Sequence, residues 1–209
     1  MKSLAQFEAI ILDCDGVIFN SNDLKIEAFR KAIDEFPSSA VSSFIVYFRN
    51  NFGTSRYHLA RVFIEDFLKI DFDNNLYQDI LQAYSKQCVY LYAHADLTDG
   101  LMDFLEQNIT RKLFVASGSD QNELREVMRV RNLDNYFVDI FGSPKKKSDI
   151  VASITVDYPQ AIMIGDAMSD FQAAQSNDIE FLFMAEYSTN PSMILDTTLN
   201  RIHNLWDLV

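Results

Sequence analysis

Two carboxylates stand one residue apart at Asp13 and Asp15, directly after the apolar run Ile10-Ile11-Leu12 and directly before Gly16. A buried strand tolerates charge only where its last side chains emerge, at the rim of a sheet. In an open α/β sheet the rim at the carboxyl ends of parallel strands is the ligand crevice. On a fully extended chain the two side chains would point to opposite faces; Gly16 allows the backbone to turn so that both address one point. Standing alone, such a stretch reads more simply as a solvated Asp-rich turn. The other strand ends change that.

Three further apolar runs end on polar groups. KLFVAS closes on Ser117, followed by Gly118, whose missing side chain lets backbone amides approach an anion. The loop after VDIF carries Lys145, Lys146 and Lys147, and QAIMIG ends in Asp166, with Asp170 one helical turn further on. Spaced four apart at a helix start, Asp166 and Asp170 share a face. Carboxylates from two strand ends make a hard, oxygen-only pocket suited to Mg²⁺, whereas zinc would call for His or Cys. The three histidines, His58, His94 and His203, show no ligand spacing.

The elements that must position these groups follow from hydrophobic pattern. Strands are predicted over residues 8–13, 112–117, 138–141, 160–165 and 180–184, and helices over 101–108, 123–131, 149–155 and 169–175. A closing helix, Arg201 to Val209, would turn Leu205 and Trp206 inward. Strand and helix alternating over short links predicts an α/β fold, a doubly wound parallel sheet with helices on both faces. After the first strand, Asn22 or Asp23 can cap a helix through LKIEAFRKAIDEF, with Leu24, Ile26, Ala28, Phe29, Ala32, Ile33 and Phe36 on its apolar face and Pro37 ending it. From there to about Ala95 the chain is helical in spacing and dense in Phe and Tyr, without a convincing strand. The expected organisation is an α/β core of residues 1–18 and 96–209 with an inserted all-helical segment of residues 19–95.

The chain has 209 residues, 48% of them hydrophobic and 23% charged, with a net charge of -12. That is enough for a sizeable core. The negative field argues against nucleic-acid and anionic-membrane partners, and favours a cation in the site. Only Cys14 and Cys88 are present, without CxxC spacing, which reads as a reducing, cytoplasmic setting with no disulfide. Lys2, then Glu8 before a short apolar run ending in acids, do not read as a secretory leader, and no run is long enough to span a membrane.

DCDGV, VASGS, the lysine loop and IGDAMSD together resemble the four sequence signatures of the haloacid dehalogenase superfamily, with the helical insert where that family places its C1-type cap. By pattern the chain is most similar to the phosphoglycolate phosphatase and β-phosphoglucomutase branch. The resemblance implies a nucleophilic role for Asp13, which would take the phosphoryl group. Asp15 would be the acid and base, its surroundings expected to raise its pKa. It implies Mg²⁺ held by Asp13, the backbone carbonyl of Asp15, and Asp166, with Asp170 ligating directly or through water. Ser117 and the amides around Gly118 would hold phosphate oxygens, and one lysine would neutralise developing charge; the family's placement shortly before a helix favours Lys147 over Lys145 and Lys146. Asn20 departs from the acid that many relatives carry in this turn, which bears on cap closure or recognition. An acid at Asp15 favours phosphoryl transfer over dehalogenation, which has no alkoxide to protonate.

Within the cap, NFGTSRYHL resembles the Gly-x-Ser-Arg segment of mutase and phosphatase caps. Arg56 could therefore reach a second anionic group of the substrate, or pair with Glu65 or another cap acid. Tyr47, Tyr57 and Tyr92 could line the entrance or fill the cap core. The expected partner is a small phosphorylated metabolite, a sugar phosphate or phosphoglycolate, and the protein a monomer or dimer. A phosphosugar mutase is the alternative within the fold. A phospho-aspartate signalling module is the alternative outside it, and such modules need no helical insert.

Overall fold

The computed structural model describes residues 4–209; Lys2 lies outside the described residues. Six parallel strands form one sheet: β1 (Ala9–Leu12), β2 (Lys112–Asp120), β3 (Asp139–Ser143), β4 (Ala161–Gly165), β5 (Glu180–Met184) and β6 (Arg201–Ile202). They lie in the order β3-β2-β1-β4-β5-β6. The order reverses beside β1, so the crevice of a doubly wound sheet opens between β1 and β4. Leu12 pairs with Val115 on one side and Ile164 on the other, so the first residue past β1 leaves the sheet level with the last residue of β4, while β2 runs on beyond it.

β1 is buried throughout, because both sheet faces are covered. Side chains alternate between two cores. Ile10, Leu12, Leu113, Val115, Ile162 and Ile164 face one. Ala9, Ile11, Phe114, Ala116, Ala161 and Met163 face the other, against Ile150, Val151 and Ile154 of α7 (Lys147–Thr155) and Ala173 and Ala174 of α8 (Met168–Ser176). α5 (Leu101–Gln107) and α6 (Gln121–Val130) complete the core helices.

The first of these cores runs on without a break into the insert. There α1 (Asn22–Ala32), α2 (Ser38–Asn50), α3 (Arg56–Val62) with a π turn at Phe63–Phe67, and α4 (Asn74–His94) form a helical bundle. Phe29, Phe44, Phe63 and Tyr84 meet at its centre, with ring centroids 4.6 Å apart for Phe29–Tyr84 and 5.0 Å for Phe29–Phe44. Tilted and edge-on rings at this spacing suit the aromatic quadrupole.

The two chain crossings between insert and core are paired with each other. Phe19 bridges Leu97, the Asn20 amide donates to the Asp96 carbonyl at 2.9 Å, and the Thr98 amide donates to the Ile18 carbonyl at 3.0 Å. No helix among the described residues is long and apolar enough to cross a membrane.

Three expectations need correction. The closing helix is instead β6, paired in parallel with β5, followed by a 3₁₀ turn at Leu205–Leu208. That turn buries Leu205 and leaves Trp206 52% exposed. On α1, Leu24 is 46% exposed and Lys25 takes the buried face with Ile26 and Phe29. α1 also stops at Ala32 and not at Pro37, which instead caps α2.

Candidate active site

Asp13 leaves the end of β1 and is buried. Its amide donates to the Ile164 carbonyl at 3.0 Å, continuing the β1–β4 ladder by one residue. Gly16 then adopts φ +82°, and a Cβ there would collide with the Asp166 carboxylate. The turn and the close approach both require glycine at this position.

Asp13, Asp166 and Asp170 converge, each offering an oxygen within 4.8 Å of the others. Lys147, the first residue of α7, lies in the same pocket with its Nζ 2.9 Å from Asp13 Oδ1 and in contact with Asp170 Oδ1. Asp170 Oδ2 accepts the Ala167 amide at 2.9 Å, and Asp166 Oδ2 accepts from Asn22 Nδ2 at 2.5 Å. Asp166 Oδ1 is buried with no hydrogen-bond partner among the described residues. Lys145 is exposed and bonded to Ser153 at 3.0 Å, and Lys146 is exposed, so among the three only Lys147 enters the pocket.

Three buried carboxylates share one ammonium, and the electrostatics show the shortfall. Burial, with Asp170 adding to it and Lys147 opposing it, raises the pKa of Asp13 to about 7. Burial and the neighbouring Asp13 and Asp170 push Asp166 well above the usual carboxylate range. A divalent cation fits this donor set. Opposite ligands of Mg²⁺ lie about 4.2 Å apart at a ligand distance of ~2.1 Å, near the span of the three oxygens. The unpartnered Asp166 Oδ1 is an acceptor that a cation would satisfy.

On the other side, Ser117 is buried with its Oγ accepting the Ser119 amide at 3.1 Å. A Cβ on Gly118 would strike the Gly53 carbonyl of the cap loop. Gly118 is therefore also where the cap seals against the core. The carbonyl of neighbouring Phe52 accepts from Ser169 Oγ on α8 at 3.4 Å.

Asp15 has a different environment. Its Oδ1 accepts from Ser21 Oγ at 2.6 Å and Tyr92 OH at 2.7 Å, and its Oδ2 from Lys25 Nζ at 3.0 Å and Ser119 Oγ at 3.1 Å. Lys25 also donates to Ser119 Oγ at 2.6 Å and Tyr92 OH at 3.1 Å, so its three protons are all taken. Burial alone would raise the Asp15 pKa, but the Lys25 charge and the hydrogen bonds from Ser21, Tyr92 and Lys25 outweigh it and hold the carboxyl below its ordinary value. This reverses the expected upward shift.

Lys25, Ser21 and Ser119 were not singled out by sequence reasoning, and Asn22, expected there as a helix cap, is instead the first residue of α1, with Ser21 at the cap position and the Asn22 side chain turned to Asp166. The signal for Lys25 was its place four residues before Phe29 on α1, a spacing that puts a lysine on the buried face.

Arg56, at the first turn of α3, pairs with neither Glu65 nor any other cap acid. Its partner is Glu123 on core helix α6: Nη1 donates to Oε1 at 2.9 Å and Nη2 lies 2.7 Å from Oε2. The guanidinium is 4.9 Å from the Tyr84 ring centroid. Glu65 instead pairs with Arg61. Of the tyrosines, Tyr92 touches Asp15, and Tyr57 donates to Asp120 at 2.7 Å across the same cap–core boundary. The three histidines are exposed. Cys14 and Cys88 are free and buried, and burial pushes both thiols up.

Between cap and core, Asp13, Asp15, Lys25, Phe52, Arg56 and Tyr84 line a cavity of about 20 Å³. That is room for about one water.

Residues 10–184 match the family model of the haloacid dehalogenase-like hydrolases. The chain belongs to that family. Its fold recurs in a predicted phosphatase from Clostridium acetobutylicum, with TM-score 0.74 and 16% identity over 97% of this chain and 96% of that one. CbbY from Rhodobacter sphaeroides, solved in complex with phosphate, gives 0.74 and 19% identity over 97% and 96%. YfnB from Bacillus subtilis, solved bound to magnesium in a form that reveals interdomain movement, gives 0.67 and 17% identity over 97% of each chain. No curated protein matches the sequence. Membership in a hydrolase family replaces the signalling-module alternative.

Proposed function

We propose that this hydrolase is a Mg²⁺-dependent phosphatase acting on a small phosphorylated metabolite, with Asp13 as the nucleophile. The observation that carries this reading is the pocket in which the Asp13 carboxylate meets the Lys147 ammonium at 2.9 Å beside two further carboxylates short of positive charge. An Asp13 oxygen attacks phosphorus and the ester P–O bond breaks, with Asp15 giving a proton to the departing alkoxide. Water then attacks the same phosphorus as Asp15 takes its proton, which releases inorganic phosphate and restores Asp13.

Held against Lys25, the Asp15 carboxylate is set for the second step. The first step needs a proton on it, and separation from Lys25 as the cap opens lets it take one up. Ser117 and the amides about Gly118 bind phosphate oxygens, and Lys147 offsets the charge gathering on them. Bound Mg²⁺ would be held by Asp13, Asp166 and the Asp15 backbone carbonyl, with Asp170 direct or through water, and would relieve repulsion between carboxylate and phosphate. The two free, buried cysteines fit a reducing, cytoplasmic setting.

The mutase reading, in which the phosphoryl group returns to a second hydroxyl of a sugar phosphate, draws on Arg56 lining the cavity. Phosphate release from a panel of phosphorylated metabolites, with and without Mg²⁺, tests the proposal. Activity that needs Mg²⁺ and falls at least roughly a thousandfold in Asp13→Asn is expected. Full activity in that variant would overturn it, and isomerisation without net phosphate release would favour the mutase.

A further inference from the structure

The cations that line the cavity on the leaving-group side are Lys25 and Arg56. Each is already neutralised by a carboxylate of the protein. Lys25 spends its charge on Asp15 and its remaining protons on Tyr92 and Ser119. Arg56, 4% exposed, faces the Glu123 carboxylate, with one hydrogen bond from Nη1 to Oε1 and Nη2 lying 2.7 Å from Oε2. Glu123 Oε1 also accepts from Ser85 Oγ at 2.5 Å, whereas Glu123 Oε2 and Arg56 Nη2, 2.7 Å apart, are buried with no hydrogen-bond partner among the described residues, so the two charges depend on each other.

Glu123 belongs to the core, whereas Arg56 and Ser85 belong to the cap. The cavity holds about one water, so a leaving group enters only when the cap has moved. That movement parts Arg56 from Glu123, and on reclosing the guanidinium is claimed either by Glu123 or by an anion on the substrate. Closure over a charged leaving group would bury two anions against one guanidinium, an arrangement that interiors penalise strongly. Closure over an uncharged leaving group restores the original pair.

Resting on the phosphatase reading, we propose that Glu123 is a specificity residue that occupies Arg56 and selects phosphomonoesters whose leaving group carries no second charge. The site takes the monophosphate of a neutral alcohol or sugar in preference to a bisphosphate or a phosphorylated carboxylic acid such as phosphoglycolate.

A matched pair tests this: glycerol 3-phosphate and 3-phosphoglycerate, in which one hydroxymethyl group becomes a carboxylate. With Mg²⁺ present, the wild-type protein should show kcat/KM higher for glycerol 3-phosphate by roughly tenfold or more. Glu123→Gln keeps the shape and removes the charge, so it should free Arg56 and narrow or invert that ratio. Calorimetry of both compounds on the Asp13→Asn protein reads the same preference without turnover. Stronger use or binding of 3-phosphoglycerate by the wild type, a ratio unchanged in a folded Glu123→Gln, or binding of neither compound would each overturn the inference. Phosphate release from no monoester at all, with the binding preference intact, would instead sink the phosphatase reading and leave the charge selection standing.

Discussion

Only Cys14 separates Asp13 from Asp15, yet the two carboxylates sit in opposite electrostatic conditions. Around Asp13, three buried carboxylates share the single ammonium of Lys147, and the pKa of Asp13 rises to about 7. Around Asp15, one carboxylate receives four hydrogen bonds, one of them from an ammonium, and its pKa falls. The first pocket is built for charge that arrives from outside. The second is complete before anything binds. The proposed mechanism, with a phosphate and a cation on one side and a proton relay kept apart from both on the other, would need this asymmetry.

The sharpest way to break the comparison is to remove the lone ammonium. Lys147→Met leaves three buried carboxylates facing one another, so the metal-free protein should lose about 3–5 kcal/mol of stability, read as a lower urea midpoint. Added Mg²⁺ should return most of it. A midpoint that does not move would show that the Asp13 pocket is not short of positive charge.

Removing the ammonium on the other side should be milder for stability, because Ser21, Tyr92 and Ser119 still donate to Asp15. Lys25→Met should lower kcat by about 10- to 100-fold with a smaller effect on KM, and Lys25→Arg should recover part of the loss. Steady-state kinetics on the best substrate of the panel checks this, and an unchanged kcat would remove Lys25 from the chemistry.

The smallest effect is a pH dependence whose sign differs between the two sites. Asp13 titrates at about 7 in the folded chain against 3.8 as its ordinary value, so the folded state binds more protons between these limits. Its contribution is therefore most favourable near pH 4 and is lost as pH rises towards 7. Asp166 acts in the same direction. Asp15, with a lowered pKa, contributes stability that is lost only on acidification below the ordinary carboxylate range. Melting temperatures of the metal-free protein should fall by a few degrees from pH 5 to 7.5, and Mg²⁺ should flatten the slope. A rise over that interval would contradict the charge shortfall.

Much of this was legible in sequence because the informative residues sit at strand ends. β5 falls on Glu180–Met184 as its apolar run suggests, and the strand ends before Asp13 and Asp166 follow from apolar runs that stop at polar groups, whereas β2 continues past Ser117 to Asp120 through a register shift that its sequence does not announce. What was not legible depends on contacts between distant segments. Lys25, Tyr92 and Ser119 come from α1, α4 and the end of β2, and nothing in their spacing announces that they meet at Asp15. Glu123 lies 67 positions from Arg56, in another layer of the molecule. β6 was missed because two residues pairing at a sheet edge carry no periodicity, and taking Arg201 and Ile202 into the sheet leaves too little chain for the expected helix.

The twin crossings at Phe19–Asn20 and Asp96–Leu97 lie side by side and are hydrogen-bonded to one another. A tether of that kind flexes like a strip of ribbon and resists being wrung, so any travel of the helical bundle would follow a single arc. Asp15 is bridged to Phe19 at the root of that strip. On the proposed mechanism, a swing of the bundle would tug on the residue that handles the proton, coupling access for substrate to readiness for the next step.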